Sequence, residues 1–398
     1  MEVYVVSAVR TAIGSFGGSL RDCEPGDLAA LVTREAIRRG GAPLDSIGHV
    51  VFGQVLPTTP RDAYLARVAT LGAGLGVQVP ALTVNRLCGS GLQAIVSAAQ
   101  AIALGDCEVA VGGGAEVMSR APFWLPALRW GKRLGDATLI DGLNGGLTDP
   151  FEGILMGVTA ENVAARSRIP REAQDAAAQE SHRRAAQAIA QGRFQSQIVA
   201  VPLKSKRGPS EFRVDEHVRP EVSLEDLAGL RPIFRAEGGT VTAGNASGIN
   251  DAAAAVLLAS GDAVREHNLA PLARLVAYAH AGVEPAYMGM GPVPATRLAL
   301  ARAGLLLADI DCIESNEAFA AQACAVAAEL RFDPLKTNPN GGAIALGHPV
   351  GATGAIIVTK LVYELQRTRG RYGLATLCIG GGQGIAAIFE RVSHHGHS

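Results

Sequence analysis

Four side chains in this sequence combine a reactive type with a suggestive position: Cys88, His348, Cys378 and Asn316. Cys88 stands in NRLCGSG, where a glycine loop gives way to the apolar stretch GLQAIVSAAQAIALG (91–105). Free N–H groups and the helix dipole at such a start favour a thiolate, so the position predicts a lowered thiol pKa. The Gly-Ser-Gly run leaves space for an acyl group to approach. Cysteine is also among the most buried residue types, so spacing alone leaves an inert structural thiol as the more ordinary reading. His348, in LGHPVGATGA, again stands where a helix opens, and Pro349 behind it disfavours helical geometry at the histidine. A histidine there is a candidate general base for a thiol, although a lone histidine is as readily structural. Cys378 ends the strand-like LATLCIGGGQG, and Asn316, in SNEAFAAQ, puts an amide where a strand yields to a helix. None of these features carries a function alone. Their shared placement at loop–element junctions does.

The elements that must position them alternate. VYVVSAV (3–9), HVVFGQVL (49–56) and EVAVGGG (108–114) read as buried strands, DLAALVTREAIRRG (27–40) and 91–105 as helices stopped by glycine. Such alternation predicts an α/β architecture with sheets covered on their faces. The chain also reads as containing itself twice. NRLCGSGLQAIVSAAQAI leads to VAVGGGAE, and NPNGGAIALGHPVGATGAIIVTKLV leads to LATLCIGGGQG, each strand finishing in Gly-Gly-Gly; HVVFGQVL matches DCIESNEAF (311–319). Between the copies, the polar 119–249 holds the helical IPREAQDAAAQESHRRAAQAIAQG with Pro170 in its first turn. The expected organisation is a first half at 1–118 plus 250–270, an inserted domain at 119–249, a second half at 271–392, and a disordered tail at 393–398.

Composition narrows the class. Glycine makes up 48 of 398 residues, about 12% against a usual 7% or so, and it clusters where backbone must turn or approach a ligand. A formal net charge of −1 argues against a nucleic-acid partner. The N-terminus lacks a signal-peptide pattern, and no apolar run of membrane-spanning length is expected, so a cytoplasmic protein is. Six cysteines without a CxxC pair read as free thiols, Cys324 as core and Cys23 as exposed. The tail histidines 394, 395 and 397 are expected to be disordered, and no metal site is expected.

NRLCGSG, GNASGIND, NEAFAAQ, GHPVGATGA and CIGGGQGIA, in this order and spacing, resemble the thiolase family over nearly the whole chain. A ketoacyl synthase, also a condensing enzyme, would carry a second histidine at Cys378. YMGMGPVPA (287–295), MGVTAENVA (156–164) and TAGNASGIND (242–251) are most similar to the bacterial acetyl-CoA acetyltransferase and broad-range β-ketothiolase branch. The resemblance implies duplicated α/β halves in a five-layered α-β-α-β-α core with an inserted loop domain. It implies a ping-pong reaction on acyl-CoA, with coenzyme A as a substrate and no cofactor. In it His348 deprotonates Cys88, Cys88 takes an acetyl group, and Cys378 exchanges a proton with the α-carbon of acetyl-CoA. Asn316, through a bound water, and His348 stabilise one thioester oxygen; the N–H groups of Cys88 and Gly380 hold the other oxyanion. CoA is then bound by Arg219 near the adenine and its phosphate, by Leu147, Leu230 and Phe234 on apolar positions, and by Met156, Ala243, Ser247, Met288, Ala318 and Phe319 at the pantetheine and acyl end. A homotetramer, built as a dimer of dimers with WGKRLGD (130–136) in the contact, is implied as well, as is a place in fatty acid metabolism or polyhydroxyalkanoate biosynthesis.

Three positions depart from the pattern. Leu155 replaces a histidine of the acetoacetyl-CoA-specialised members, which makes the acyl pocket more apolar. One methylene in such a pocket is worth about 1–3 kcal/mol of discrimination, so chains longer than four carbons become acceptable. Asp226 replaces a frequent serine near the CoA nucleotide, and Leu134 a frequent methionine. The competing expectations are a longer-chain degradative 3-ketoacyl-CoA thiolase and a thiolase-like acyl-CoA-binding protein without turnover.

Overall fold

The computed structural model describes residues 2–203 and 208–393. The tail histidines lie outside them. The first half runs β1 (Val3–Arg10), β2 (Gly14–Ser15), α1 (Pro25–Gly40), β3 (Ile47–Gly53), α2 (Leu65–Gly72), β4 (Ala81–Val84), α3 (Ser90–Leu104) and β5 (Val109–Val117). Next come the short ladders β6 (Phe123–Trp124) with β7 (Ile140–Asp141) and β8 (Val201–Leu203) with β9 (Ser210–Phe212). The same stretch holds α4 (Gly142–Gly146), α5 (Met156–Ser167), α6 (Arg171–Ala190) and α7 (Leu224–Ala228). β10 (Asn250–Ser260) and α8 (Gly261–Glu266) return to the first sheet. The second half runs β11 (Ala273–Gly282), α9 (Pro292–Ala303), β12 (Ile310–Ser315), α10 (Ala320–Leu330), α11 (Ala343–Leu346), α12 (Val350–Thr368), β13 (Tyr372–Ile379) and β14 (Gln383–Arg391).

The strand order is β12-β13-β14-β11-β1-β10-β5-β3-β4. Read outward from the centre, the two sides match: β1-β10-β5-β3 against β11-β14-β13-β12. β3 lies parallel to β5 as β12 does to β13, while β10 and β14 run antiparallel to their neighbours. The internal repeat is therefore a repeat of topology. The two sheets are joined at β1 and β11 by the pairs Tyr4↔Arg274 and Val5↔Ala273.

Side-chain alternation along the strands builds the layers. On β10, Ala252, Ala254, Val256 and Leu258 face a core shared with α3, α12 and the second sheet, while Ala253, Ala255 and Leu257 face α1 and α2. α9 and α10 cover the far side through Val293, Ala299, Val326 and Leu330. The sequence of layers is helices, sheet, the α3–α12 pair, sheet, helices.

The two helices of the middle layer touch through glycine. A Cβ at Gly354 of α12 would stand 2.1 Å from the Leu92 nitrogen of α3. The Gly112–Gly114 run has the same purpose and lies inside β5 rather than finishing it: a Cβ at Gly114 would stand 2.2 Å from the Gly351 carbonyl oxygen. The second triplet does follow its strand, with Gly381 and Gly382 at φ +80° and +85°. β3 stops at Gly53, short of the expected 56, because the Val55 and Leu56 N–H groups turn to the Glu116 carboxylate. Pro170 is the N-cap of α6, one residue outside the helix. Contrary to expectation, Leu87–Leu104 is long and apolar enough to pass for a membrane span, with a mean hydropathy of 1.5. Its apolarity is used in the middle layer, where Leu92, Ile95 and Ile102 are fully buried.

Candidate active site

Because α3 and α12 meet at their N-terminal ends, the two loops that enter them also meet. One carries Cys88, the other His348. Cys88 lies just before α3, whose N-cap is Gly89, on a backbone bent through Leu87 at φ +44°. That left-handed conformation is uncommon for a branched residue. It is held by Leu87 N–H donating to Asn85 Oδ1 at 2.9 Å and by Ser90 Oγ donating to the Leu87 carbonyl at 2.6 Å. Glu116 clamps the surroundings, accepting from Val55, Leu56 and Gly351 at 2.8–3.1 Å. Burial pushes its carboxyl up to about 8.

The thiol does not behave as a helix-start cysteine in water would. Burial pushes Cys88 up to about 11, opposed by backbone hydrogen bonds from the Gly380 and Cys88 amides. Removal from water thus outweighs the donors, and the expected lowering is reversed. The same two donors are well placed for an oxyanion on a group attached to the sulfur. Gly380 comes from the turn after β13, at whose end Cys378 is fully buried. Burial raises Cys378 strongly, with the charge of Cys88 adding to it. Met288 and Ala318 bury the same thiol, with Met156 and Phe319 packed alongside.

His348 is buried, and burial lowers it to about 4, so the ring is neutral at physiological pH. Its backbone N–H donates to Asn250 Oδ1 at 2.9 Å. Thr353 Oγ1 donates to the Pro349 carbonyl at 3.0 Å, which leaves it to accept from His348 Nδ1 at 2.7 Å. This assignment puts the proton on Nδ1 and the lone pair on Nε2. Asn316 Nδ2 stands 3.5 Å from Nε2. A neutral thiol and a neutral imidazole with its lone pair on Nε2 thus stand at the mouths of two helices that pack together.

The chain matches two family descriptions in succession: "Thiolase, N-terminal domain" over residues 3–262 and "Thiolase, C-terminal domain" over 269–391. The chain belongs to the thiolase family. Among its relatives, "Beta-ketothiolase BktB" of Cupriavidus necator is 62% identical over 391 residues, 98% of this chain and 99% of that one. "Acetyl-CoA acetyltransferase" of Syntrophomonas wolfei is 50% identical over 394 residues, 98% and 99% of the two chains. Among solved structures, human mitochondrial 3-ketoacyl-CoA thiolase in complex with CoA superposes with a TM-score of 0.95 at 46% identity, covering 98% of each chain.

In this thiolase one wall continues outward from Cys378. Ser247 N–H donates to the Ala318 carbonyl at 3.0 Å, and Ala246 pairs with Phe319. Phe234 meets Phe319 edge-on, centroids 6.2 Å apart, and lies against Gly157. Leu147 packs into the cluster around Cys88, and its carbonyl accepts from Met156 N–H at 2.9 Å. Leu155 caps α5 beside Met156. Leu230 lies against Gly244, next to the exposed Ala243.

Arg219 is not brought to the sulfurs. It is exposed, its N–H donates to His182 Nδ1 at 3.1 Å, and its guanidinium has no hydrogen-bond partner among the described residues. Asp226 closes a capping box with Ser223 on α7, and Leu134 is 92% exposed. All six cysteines are free. Cys324 is half-buried, and Cys23, expected to be exposed, is half-buried against the first core.

Sequence reasoning missed Thr353, Asn250, Glu116 and the bend at Leu87. The faint signals were a hydroxyl in the first turn after His348 and an acid two residues behind a glycine run.

Proposed function

We propose that this thiolase is an acyl-CoA C-acetyltransferase, a β-ketothiolase that joins acetyl-CoA to acetyl-CoA or a short acyl-CoA and thiolyses 3-ketoacyl-CoA. The observation that carries the reading is a half-buried thiol under the N–H groups of Cys88 and Gly380, a second, fully buried thiol at Cys378, and a neutral histidine whose Nε2 is unprotonated. His348 takes the Cys88 proton, the sulfur attacks the thioester carbonyl, and CoA leaves as the thiol with that proton. His348, neutral again, accepts the Cys378 proton, and the Cys378 thiolate removes a proton from the α-carbon of the second acetyl-CoA. The carbanion attacks acetyl-Cys88, and the expelled sulfur takes the proton from His348. Thiolysis runs the same steps backwards. A thiol raised as far as Cys378 is a weak acid and a strong conjugate base, which suits a weakly acidic carbon.

The relatives named above, one of them solved with CoA, support placing CoA along the 234–247 and 318–319 wall, with Arg219 near the nucleotide phosphates. Arg219→Ala is therefore expected to raise KM for CoA with little change in kcat. A longer-chain degradative thiolase is the second reading, favoured by Leu155. In a thiolysis assay across 3-ketoacyl-CoAs of increasing length, Leu155→His is expected to cut kcat/KM for the longer chains about tenfold relative to acetoacetyl-CoA. An unmoved ratio removes Leu155 as a determinant of chain length. Phe123, Leu128, Trp130 and Leu134 are exposed along one stretch of chain that also carries Arg129, Lys132 and Arg133. Large apolar patches mark contact surfaces, and this stretch supports a homotetramer. Sedimentation of the wild type is expected to give four chain masses, and a monomer would refute it.

A further inference from the structure

Next to Asn316 lies a polar cluster that the steps above do not use. Glu314 and Lys360 are 1% and 2% exposed, and Lys360 Nζ donates at 2.6 Å to Glu314 Oε2 and to the Gly341 carbonyl. Glu314, Asn316, Thr353 and Lys360 line one small space with Gly342 and Gly347. Its volume is about 10 Å³, room for roughly one water. Two acceptors on its lining residues, Glu314 Oε1 and Asn316 Oδ1, are buried without a hydrogen-bond partner. Buried acceptors left bare are costly, and a water has two protons to donate.

We propose that this space is an ordered-water site through which Lys360 and Glu314 act as positioning residues for Asn316. One water donates to Glu314 Oε1 and to Asn316 Oδ1, which fixes the amide with Nδ2 toward His348 Nε2. Without it the amide is free to turn over, because 3.5 Å to Nε2 is too long a contact to hold its orientation. Turned over, it sets oxygen against the imidazole lone pair and withdraws a donor from the thioester oxygen.

Lys360 keeps Glu314 an acceptor. Burial raises the Glu314 carboxyl, Glu364 and Glu317 raise it further, and Lys360 opposes them. Condensation therefore needs the ionised form and declines as pH falls through the Glu314 pKa. Removing Lys360 raises that pKa and moves the decline to higher pH.

The inference rests on Asn316 acting in the carbon–carbon step, so the test separates the two half-reactions. In Lys360→Met, labelling of Cys88 by acetyl-CoA is expected to fall much less than condensation, because it uses His348 but not the Asn316 donor to the thioester oxygen. Condensation kcat at neutral pH is expected to fall about tenfold or more, with its acid limb moved upward. Adding Glu314→Gln removes both charges of the pair and keeps an acceptor oxygen; this double variant is expected to recover most of kcat and to lose the acid limb. If Lys360→Met does not fold, the double variant carries the test alone. An unchanged pH profile in Lys360→Met, equal loss in both half-reactions, or no recovery in the double variant overturns the proposal. A wild type that acetyl-CoA does not label would instead overturn the assignment of Cys88.

Discussion

Cys88→Ser is expected to abolish covalent labelling by acetyl-CoA and to lower kcat about 10⁴-fold or more. Cys88 is already raised to about 11 by burial, yet a thiol there is still within reach of a neutral imidazole once the Gly380 and Cys88 N–H groups share the developing charge. A serine hydroxyl is a far weaker acid in the same surroundings, and His348, lowered to about 4, is too weak a base to ionise it. The change is nearly isosteric, so the fold and CoA binding are expected to survive. Mass spectrometry after incubation with acetyl-CoA reads the outcome directly. Stoichiometric acetylation of the variant, or activity within tenfold of the wild type, would remove Cys88 from the role of nucleophile.

Cys378→Ala separates the second thiol from the first. Acetyl transfer to Cys88 uses His348 and the two backbone donors, none of which alanine disturbs. Labelling by acetyl-CoA is therefore expected to remain largely intact. Condensation and thiolysis both need a proton moved at carbon, and both are expected to stop, with kcat lowered about 10²–10⁴-fold. Alanine removes only the sulfur from a site bounded by Met288 and Ala318, so the cavity it leaves is small. Loss of labelling together with condensation would show that the two sulfurs do not divide the work in this way.

Neither experiment needed a structure to be conceived, which measures how much was legible in the chain. Cys88, His348, Cys378 and Asn316 each stood at a visible junction between loop and element. The alternation of strands and helices led to the α/β class, and the pairing of 47–53 with 109–117 repeats that of 310–315 with 372–379 as the internal match predicted. Where the reading failed, the cause was contact at a distance. The Gly112–Gly114 run looked like a strand end, but those glycines lie inside β5 because α3 and α12 press on the sheet. Leu87–Leu104 passes as a membrane span by length and hydropathy, yet it packs into the middle layer of the core. The reach of Thr353 to His348 Nδ1 depends on a rotamer and a helix turn that no spacing rule specifies.

By itself the sequence determined which residues have reactive chemistry and that each stands at the mouth of an element, since residue type and local periodicity are properties of the chain. Only the tertiary structure decided that the Gly380 amide points at a sulfur 292 residues earlier, and that this sulfur is a raised thiol rather than the lowered one its helix start promised. Proton affinity follows the surroundings in space. Two buried helix ends crossing through glycine exclude water from the thiol more strongly than one helix dipole can ionise it.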